Sequence, residues 1–359
     1  MIKTFCCLVV FMFFLSESSF SQKYFVPFQD KHISYEGRIA YTQDAAELMW
    51  PGTSVRINFK GTGLAGQFKD ADTSNYYNVI IDNDSIYKIK FDTSKKTVVL
   101  ASDLPFGKHS LQLFKRTEWD KGKTWFYGFE TNEKTKLLQP YKLPKRKIEF
   151  FGNSITCGYA INDTAKDSPS GYYENNYDAY AAITARHFNA QYHCTAKSGI
   201  GIMISWFPLI MPEMYDRLDP TDSSSKWDFS KYTPDLVVIN LLQNDSWLVN
   251  MPGNEQFKIK FGTKSPDAAD IIESYRSFLQ TIRTKYPKAQ IICMLGNMDI
   301  TRKGSPWPGY VQEAVDKLHD RQIFTYFVPY KETKGHPKVK EQKILAEGLI
   351  QFINDHIKW

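Results

Sequence analysis

Between residues 24 and 140, apolar and polar positions alternate in short runs broken by turn residues. Ser54 to Lys60 puts Val55, Ile57 and Phe59 on one face and Arg56 and Asn58 on the other, the period-two signature of a half-buried strand. Gly61-Thr62-Gly63 closes that run as a turn. Tyr77 to Asp82 leads into a second turn at Asn83-Asp84, and Lys108 to Phe114 is a further strand. No segment of this half holds a helical period. The pattern predicts an all-β sandwich of roughly 110 residues, a normal domain size.

A proline-marked connection follows, Gln139 to Pro144, and after it the texture changes. Lys147 to Phe151, Ala190 to Ala196, Leu236 to Leu241, Gln290 to Leu295 and Ile323 to Val328 are short apolar strands. Asp267 to Tyr286 is amphipathic, with Ile271, Ile272, Tyr275, Leu279 and Ile282 on one face. Lys338 to Ile357 repeats this through Leu345, Leu349, Phe352 and Ile353. Strand–helix alternation predicts a parallel sheet covered on both faces, a three-layer α/β/α domain. The expected layout is a signal peptide over 1–21, a β-sandwich over 22–140 and an α/β domain over 145–359.

The signal peptide rests on Lys3, the apolar stretch Phe5 to Leu15 and a polar segment whose Ser19 and Ser21 suit cleavage before Gln22. This stretch is too short to span a bilayer. A lipoprotein signal fits less well, because Cys6 and Cys7 precede most of the apolar core. The expected location is secreted or periplasmic, with no membrane contact after cleavage. Cys157, Cys194 and Cys293 would remain, an odd and sparse set that is no disulfide framework. No Cys or His spacing suggests a metal site, so neither a metal nor another cofactor is expected. The net charge of +6 is spread thinly, and Lys142 to Lys147 reads as a solvated linker, so nucleic acid is not an expected partner. Aromatic residues reach 15%, which suits small β cores and also surfaces that stack on sugar rings.

Four segments follow predicted strands, where functional groups of such sheets gather. In Gly152-Asn153-Ser154-Ile155-Thr156-Cys157-Gly158, a serine between strand and helix can expose its hydroxyl near a helix N-terminus, where developing negative charge is favoured. An ordinary N-cap serine has the same look. Ser198-Gly199-Ile200-Gly201 lets a backbone N–H approach a substrate oxygen, and is equally a tight turn. Asn244, in Leu241-Leu242-Gln243-Asn244-Asp245, can offer a side-chain amide to an oxyanion, or simply sit in a turn. His336, in Gly335-His336-Pro337, can act as a general base if it reaches a serine hydroxyl.

In order, these segments resemble the Ser, Gly, Asn and His blocks of SGNH hydrolases. Arg146 to Tyr159, Asn175 to Tyr180, Ser198 to Gly201 and Met211 to Asp216 are similar to family 2 carbohydrate esterases in particular. Trp50 to Ser54, Lys115-Arg116-Thr117-Glu118 and Gly128-Phe129 resemble that family's N-terminal jelly-roll domain. The resemblance covers nearly the whole chain after residue 21. It implies an acetyl xylan esterase-like serine esterase, with a jelly roll before a flavodoxin-like SGNH domain. The expected substrate is acetylated plant cell-wall polysaccharide or oligosaccharide: xylan, or glucomannan. It also implies Ser154 as nucleophile, His336 as base, and an oxyanion site of the Ser154 and Gly199 N–H groups with the Asn244 amide. Trp247, Trp206 and Trp307 lie in or near the site segments as sugar-stacking candidates, and core packing suits each as well.

Three positions depart from the SGNH pattern. Asn153 stands where Asp is usual. Leu242 and Gln243 replace the usual Gly, which would reshape the pocket. Thr333 occupies the place of the Asp three residues before the His, so the expectation is a dyad in which a main-chain carbonyl, rather than Glu332, accepts from His336. Two rival readings stay open: an esterase for a different acylated glycan, and a carbohydrate-binding protein with a degenerate hydrolase half.

Overall fold

The alternating runs of the first half pair so that their apolar faces coincide. In the computed structural model, which describes residues 23–359, Ser54–Gly61 lies antiparallel to Gly107–Lys115, with Val55 opposite Leu113 and Ile57 opposite Leu111. Asp82 and Asn83 both adopt left-handed φ (54° and 59°), which lets Tyr77–Ile81 reverse directly into Ser85–Ile89. Two six-stranded antiparallel sheets result, and their inner faces bury Phe59, Phe68, Tyr77, Phe126 and Phe129. Leu64–Asp70 alternates in burial yet carries Ala, Gly and Gln among few bulky residues, which hides it in the sequence. One element in this half is helical, a single 3-10 turn at Trp119–Lys121. The expectation of a signal peptide, with Cys6 and Cys7, lies outside the described residues.

The second half builds a five-stranded parallel sheet. Its spatial order is Ala190–Ala196, Arg146–Gly152, Leu236–Asn240, Gln290–Leu295, Ile323–Phe327. In chain order this is 2-1-3-4-5, a doubly wound arrangement whose direction reverses between the first and third strands. Leu236–Asn240 is buried throughout, as a central strand covered on both faces requires. Ala268–Lys285 and Trp307–Asp316 cover one face, against Phe151, Val237 and Ile239. Tyr180–His187 and Val339–His356 cover the other, against Phe150, Val238 and Ile292. The predicted faces of both long helices are the buried ones; Phe352 packs at the margin. Gly152 is in register with Ala196 and Asn240, so three strands end at one level.

The halves are locked together by a charge pair. Arg38 of the β-sandwich reaches Glu149 of the first parallel strand at 2.8 Å, both side chains essentially without solvent contact. The guanidinium also donates to the carbonyls of Tyr215 and Arg217 at 2.7 and 2.8 Å, and Thr195 Oγ1 donates to Glu149 at 2.9 Å. Trp50 joins the core of the second domain and donates through Nε1 to the Leu218 carbonyl.

Candidate active site

Ser154 opens a single helical turn, Ser154–Cys157, directly after the first parallel strand. The turn is held by Asn153, whose Oδ1 accepts from the Ile155 N–H at 3.0 Å while its carbonyl accepts from Thr156 and Cys157. An amide thus does what the usual Asp would do here as an acceptor. Ser154 is only 7% exposed.

His336 Nε2 lies 2.9 Å from Ser154 Oγ, although 182 residues separate the two. The other ring nitrogen, Nδ1, lies 2.7 Å from Asp167 Oδ2, and the same oxygen accepts the His336 backbone N–H at 2.8 Å. This corrects the expectation that a main-chain carbonyl would accept from His336: a carboxylate does, from a loop that precedes the histidine by far. Gly335 makes the approach possible. Its φ is +72°, and a Cβ there would sit 2.8 Å from Asp167 Oδ2. Lys338 Nζ holds the second carboxylate oxygen at 2.7 Å and also donates to the Ala160 carbonyl. The hydrogen bond from His336, with that from Lys338, keeps the Asp167 carboxyl well below the usual carboxylate range, against the opposing effect of burial.

Thr333 is occupied elsewhere. Its hydroxyl meets Lys331 Nζ and Glu341, so the place of the usual Asp serves to brace the loop. Glu332 is exposed, with a left-handed φ of 59°.

The loop after the second strand can be followed N–H by N–H. Lys197 donates to Gly152 O, Ser198 to Glu118 Oε2, Ile200 to Lys197 O and Gly201 to Ser205 Oγ; Ile202, Met203 and Ile204 all donate to Asp245. Gly199 N–H, at φ +81°, is the one left without an acceptor among the described residues. The Ser154 N–H is likewise without one. Backbone donors inside a fold are nearly always paired, so an open N–H on Ser154 itself and another on the half-buried Gly199, in the loop after the neighbouring strand, suit a developing oxyanion. Asn244 Nδ2 donates one hydrogen to the Ile200 carbonyl at 2.8 Å, and its Oδ1 accepts from Trp206 Nε1 at 3.1 Å, which fixes the amide and leaves its second N–H. Burial pushes the Asp245 carboxyl up to about 6 despite the three donors on it.

Leu242, in the place of the usual Gly, takes the left-handed φ of 70° that a glycine would favour, and is fully buried. Gln243 donates to Asp299 at 2.8 Å, as does Trp247 Nε1. Gln243 and Trp247 are thus both tied to Asp299. Of the three tryptophans, Trp206 is 45% exposed beside Asn244, Trp247 is half-buried, and Trp307 is buried in the core, which removes it as a sugar-stacking surface. Tyr159 stands against the His336 ring, centroids 4.7 Å apart. No group of three or more His, Cys, Asp or Glu that could hold a metal occurs among the described residues. No helix among them is long and apolar enough to cross a membrane.

Residues 35–140 match the family description "Carbohydrate esterase 2 N-terminal", and residues 150–339 match the GDSL-like lipase/acylhydrolase family. A solved family two carbohydrate esterase from Clostridium thermocellum, in complex with cellohexaose, is 33% identical at a TM-score of 0.79, covering 90% of this chain and 98% of that one. The chain belongs to the family 2 carbohydrate esterases. A second solved member of family 2, from Cellvibrio japonicus, is 25% identical at a TM-score of 0.82, covering 93% of this chain and 98% of that one. The cellulase/esterase CelE of Acetivibrio thermocellus is 33% identical over 346 residues, 91% of this chain but 40% of that protein. An acetylxylan esterase/glucomannan deacetylase of Cellvibrio japonicus is 26% identical over 353 residues, 96% of this chain and 94% of that protein. Against the family 2 assignment, the residues that sequence reasoning missed are Asp167 and Lys338. Asp167 sits in Asn162 to Ser170, which reads as a plain polar loop.

Proposed function

We propose that this protein is a serine esterase that removes O-acetyl groups from plant cell-wall polysaccharide, xylan or glucomannan, through an acetyl-enzyme. The observation that carries the reading is the continuous chain of contacts from Ser154 Oγ through His336 to Asp167. Ser154 Oγ attacks the acetyl carbonyl while His336 Nε2 takes its proton. The oxyanion is received by the Ser154 and Gly199 N–H groups and by Asn244 Nδ2. Asp167 holds the imidazole in the tautomer that accepts at Nε2 and stabilises the imidazolium. His336 then passes the proton to the departing sugar oxygen. In the second half-reaction His336 deprotonates water, the hydroxide attacks the acetyl carbon, and acetate leaves as Ser154 recovers its proton.

Two relatives support the substrate class: the acetylxylan esterase/glucomannan deacetylase and the esterase solved with cellohexaose. The exposed face of Trp206 beside Asn244 offers a ring on which a sugar can stack. The same reading includes export, with residues 1–21 removed before Gln22; N-terminal sequencing from the native host tests it, and a retained Met1 contradicts it. A glycan-binding protein with a degenerate hydrolase half is disfavoured, because such a half has no need to keep Ser154, His336 and Asp167 in contact. The deciding experiment measures acetate released from acetylated xylan, acetylated glucomannan and 4-nitrophenyl acetate. Release from the polymers supports the reading. Turnover of 4-nitrophenyl acetate alone moves the substrate to another acylated glycan, and binding without release supports the binder.

A further inference from the structure

The first domain puts one carboxyl into the second. Glu118, at the end of the strand Gly107–Lys115 and its following turn, is fully buried. Its Oε2 accepts the Ser198 N–H at 2.7 Å, and Ser198 immediately precedes Gly199. The same oxygen lies 3.8 Å from Cys157 Sγ, at the far end of the turn that Ser154 opens. One oxygen atom therefore touches both segments that supply the open backbone N–H groups.

The turn that delivers Glu118 is itself rigidly built. Lys115 Nζ, with no solvent contact, lies 2.6 to 3.2 Å from Asn75 Oδ1, Thr117 O, Thr117 Oγ1 and Glu118 O. Glu118 N–H donates to Glu174 Oε2 at 3.0 Å. On either side, Lys197 Nζ meets Asp120 at 3.1 Å and lies over the Trp119 ring. Asp245 grips the other end of the same loop through Ile202, Met203 and Ile204. The Gly199 N–H thus lies between two fixed anchors, one from each domain. Burial raises Glu118, and burial with the neighbouring Glu118 pushes Glu174 up to about 8, although Lys115, Lys121 and Lys197 surround them.

We propose that Glu118 is a positioning residue for catalysis: by holding Ser198 N–H against the end of the Ser154 turn, it aims the Gly199 N–H at the oxyanion. The β-sandwich is then part of the catalytic apparatus. This rests on the esterase reading above.

Removing one oxyanion donor outright costs on the order of 10²–10³ in kcat. Losing the aim of one donor should cost less. With 4-nitrophenyl acetate, Glu118→Ala should lower kcat by about 10- to 100-fold and move KM by less than about threefold. Glu118→Gln keeps an acceptor oxygen in place and should stay within about fivefold of the parent enzyme. Inhibition by methylboronic acid, a tetrahedral anion mimic on Ser154, should weaken in step with kcat. Glu118→Asp withdraws the acceptor by one methylene and should resemble the alanine variant; it is the deciding variant if Glu118→Ala fails to fold by circular dichroism. A kcat within twofold of the parent in Glu118→Ala or Glu118→Asp overturns the proposal. So does Glu118→Gln failing as badly as Glu118→Asp. Ser154→Ala, run alongside, separates the two claims: if it stays active the esterase reading falls, and if it is dead while the Glu118 variants are not, only the role of Glu118 falls.

Discussion

Replacing Asp167 by Asn removes one charge and little volume, so it isolates what the carboxylate contributes to His336. When His336 takes the serine proton it becomes a cation facing that carboxylate across the 2.7 Å Nδ1–Oδ2 contact. With charge centres about 4 Å apart and an effective dielectric of about 20, the attraction is about 4 kcal/mol, or roughly a thousandfold in rate. Two features reduce this. The side chains are 19% and 27% exposed, which admits solvent screening, and Lys338 already neutralises the other oxygen at 2.7 Å. We expect kcat/KM for 4-nitrophenyl acetate to fall by about 10²–10³, less than the roughly 10⁴ seen when a serine protease loses the charge of its buried aspartate. The Asp167 carboxyl is held below the usual carboxylate range, so its charge is present throughout any assay above about pH 5. The linked stability has the same sign: it is present above the unfolded-state value near 4 and is lost only as pH falls through the lower folded value. Glu332→Gln is the control and should lose no more than a few-fold. An Asp167→Asn variant with a native circular dichroism spectrum and rates within fivefold of the parent would refute the triad and leave a dyad.

The remaining predictions concern the support around this relay. Lys338→Met should leave Asp167 charged but free to turn, lowering kcat by about 3- to 10-fold with KM unchanged, and Lys338→Arg should recover most of it; initial-rate kinetics decide. Trp206→Phe keeps a ring but deprives Asn244 Oδ1 of its donor, so kcat should fall a few-fold on every ester. Trp206→Ala should in addition raise KM on acetylated xylan but not on 4-nitrophenyl acetate. Arg38→Ala leaves Glu149 buried without its cation and should cost about 3–5 kcal/mol in urea unfolding, which a domain junction of no energetic weight would not show.

Much of this was legible in the sequence because it is written in local patterns. Strands that alternate, such as Ser54 to Lys60, and helices with one clear apolar face, such as Asp267 to Tyr286, follow from period alone. The Ser154, Gly199, Asn244 and His336 segments stand out because each follows a strand end, and parallel strands in register bring those ends together. Asp167 was not legible for the converse reason. It belongs to an irregular loop, and its pairing with His336 depends on a close backbone approach at Gly335 and on Lys338 three residues further on, none of which leaves a periodic trace. The short strands Ile39–Tyr41 and Ala46–Leu48 were missed because three residues are too few to show a period. Leu242 shows that an apparent loss of a glycine can keep the glycine's backbone shape, a fact visible only in its φ.

The mechanism requires that the acetyl group pass through Ser154. In a rapid-quench experiment with 4-nitrophenyl acetate, mass spectrometry of the acid-stopped enzyme should show the gain of one acetyl group. Tryptic mapping should place it on the peptide after Lys147, which contains Ser154. The Ser154→Ala enzyme should show no such adduct and should lose several orders of magnitude in turnover. An acetyl group found on another residue, or full-rate hydrolysis by folded Ser154→Ala, would contradict the mechanism at its first step.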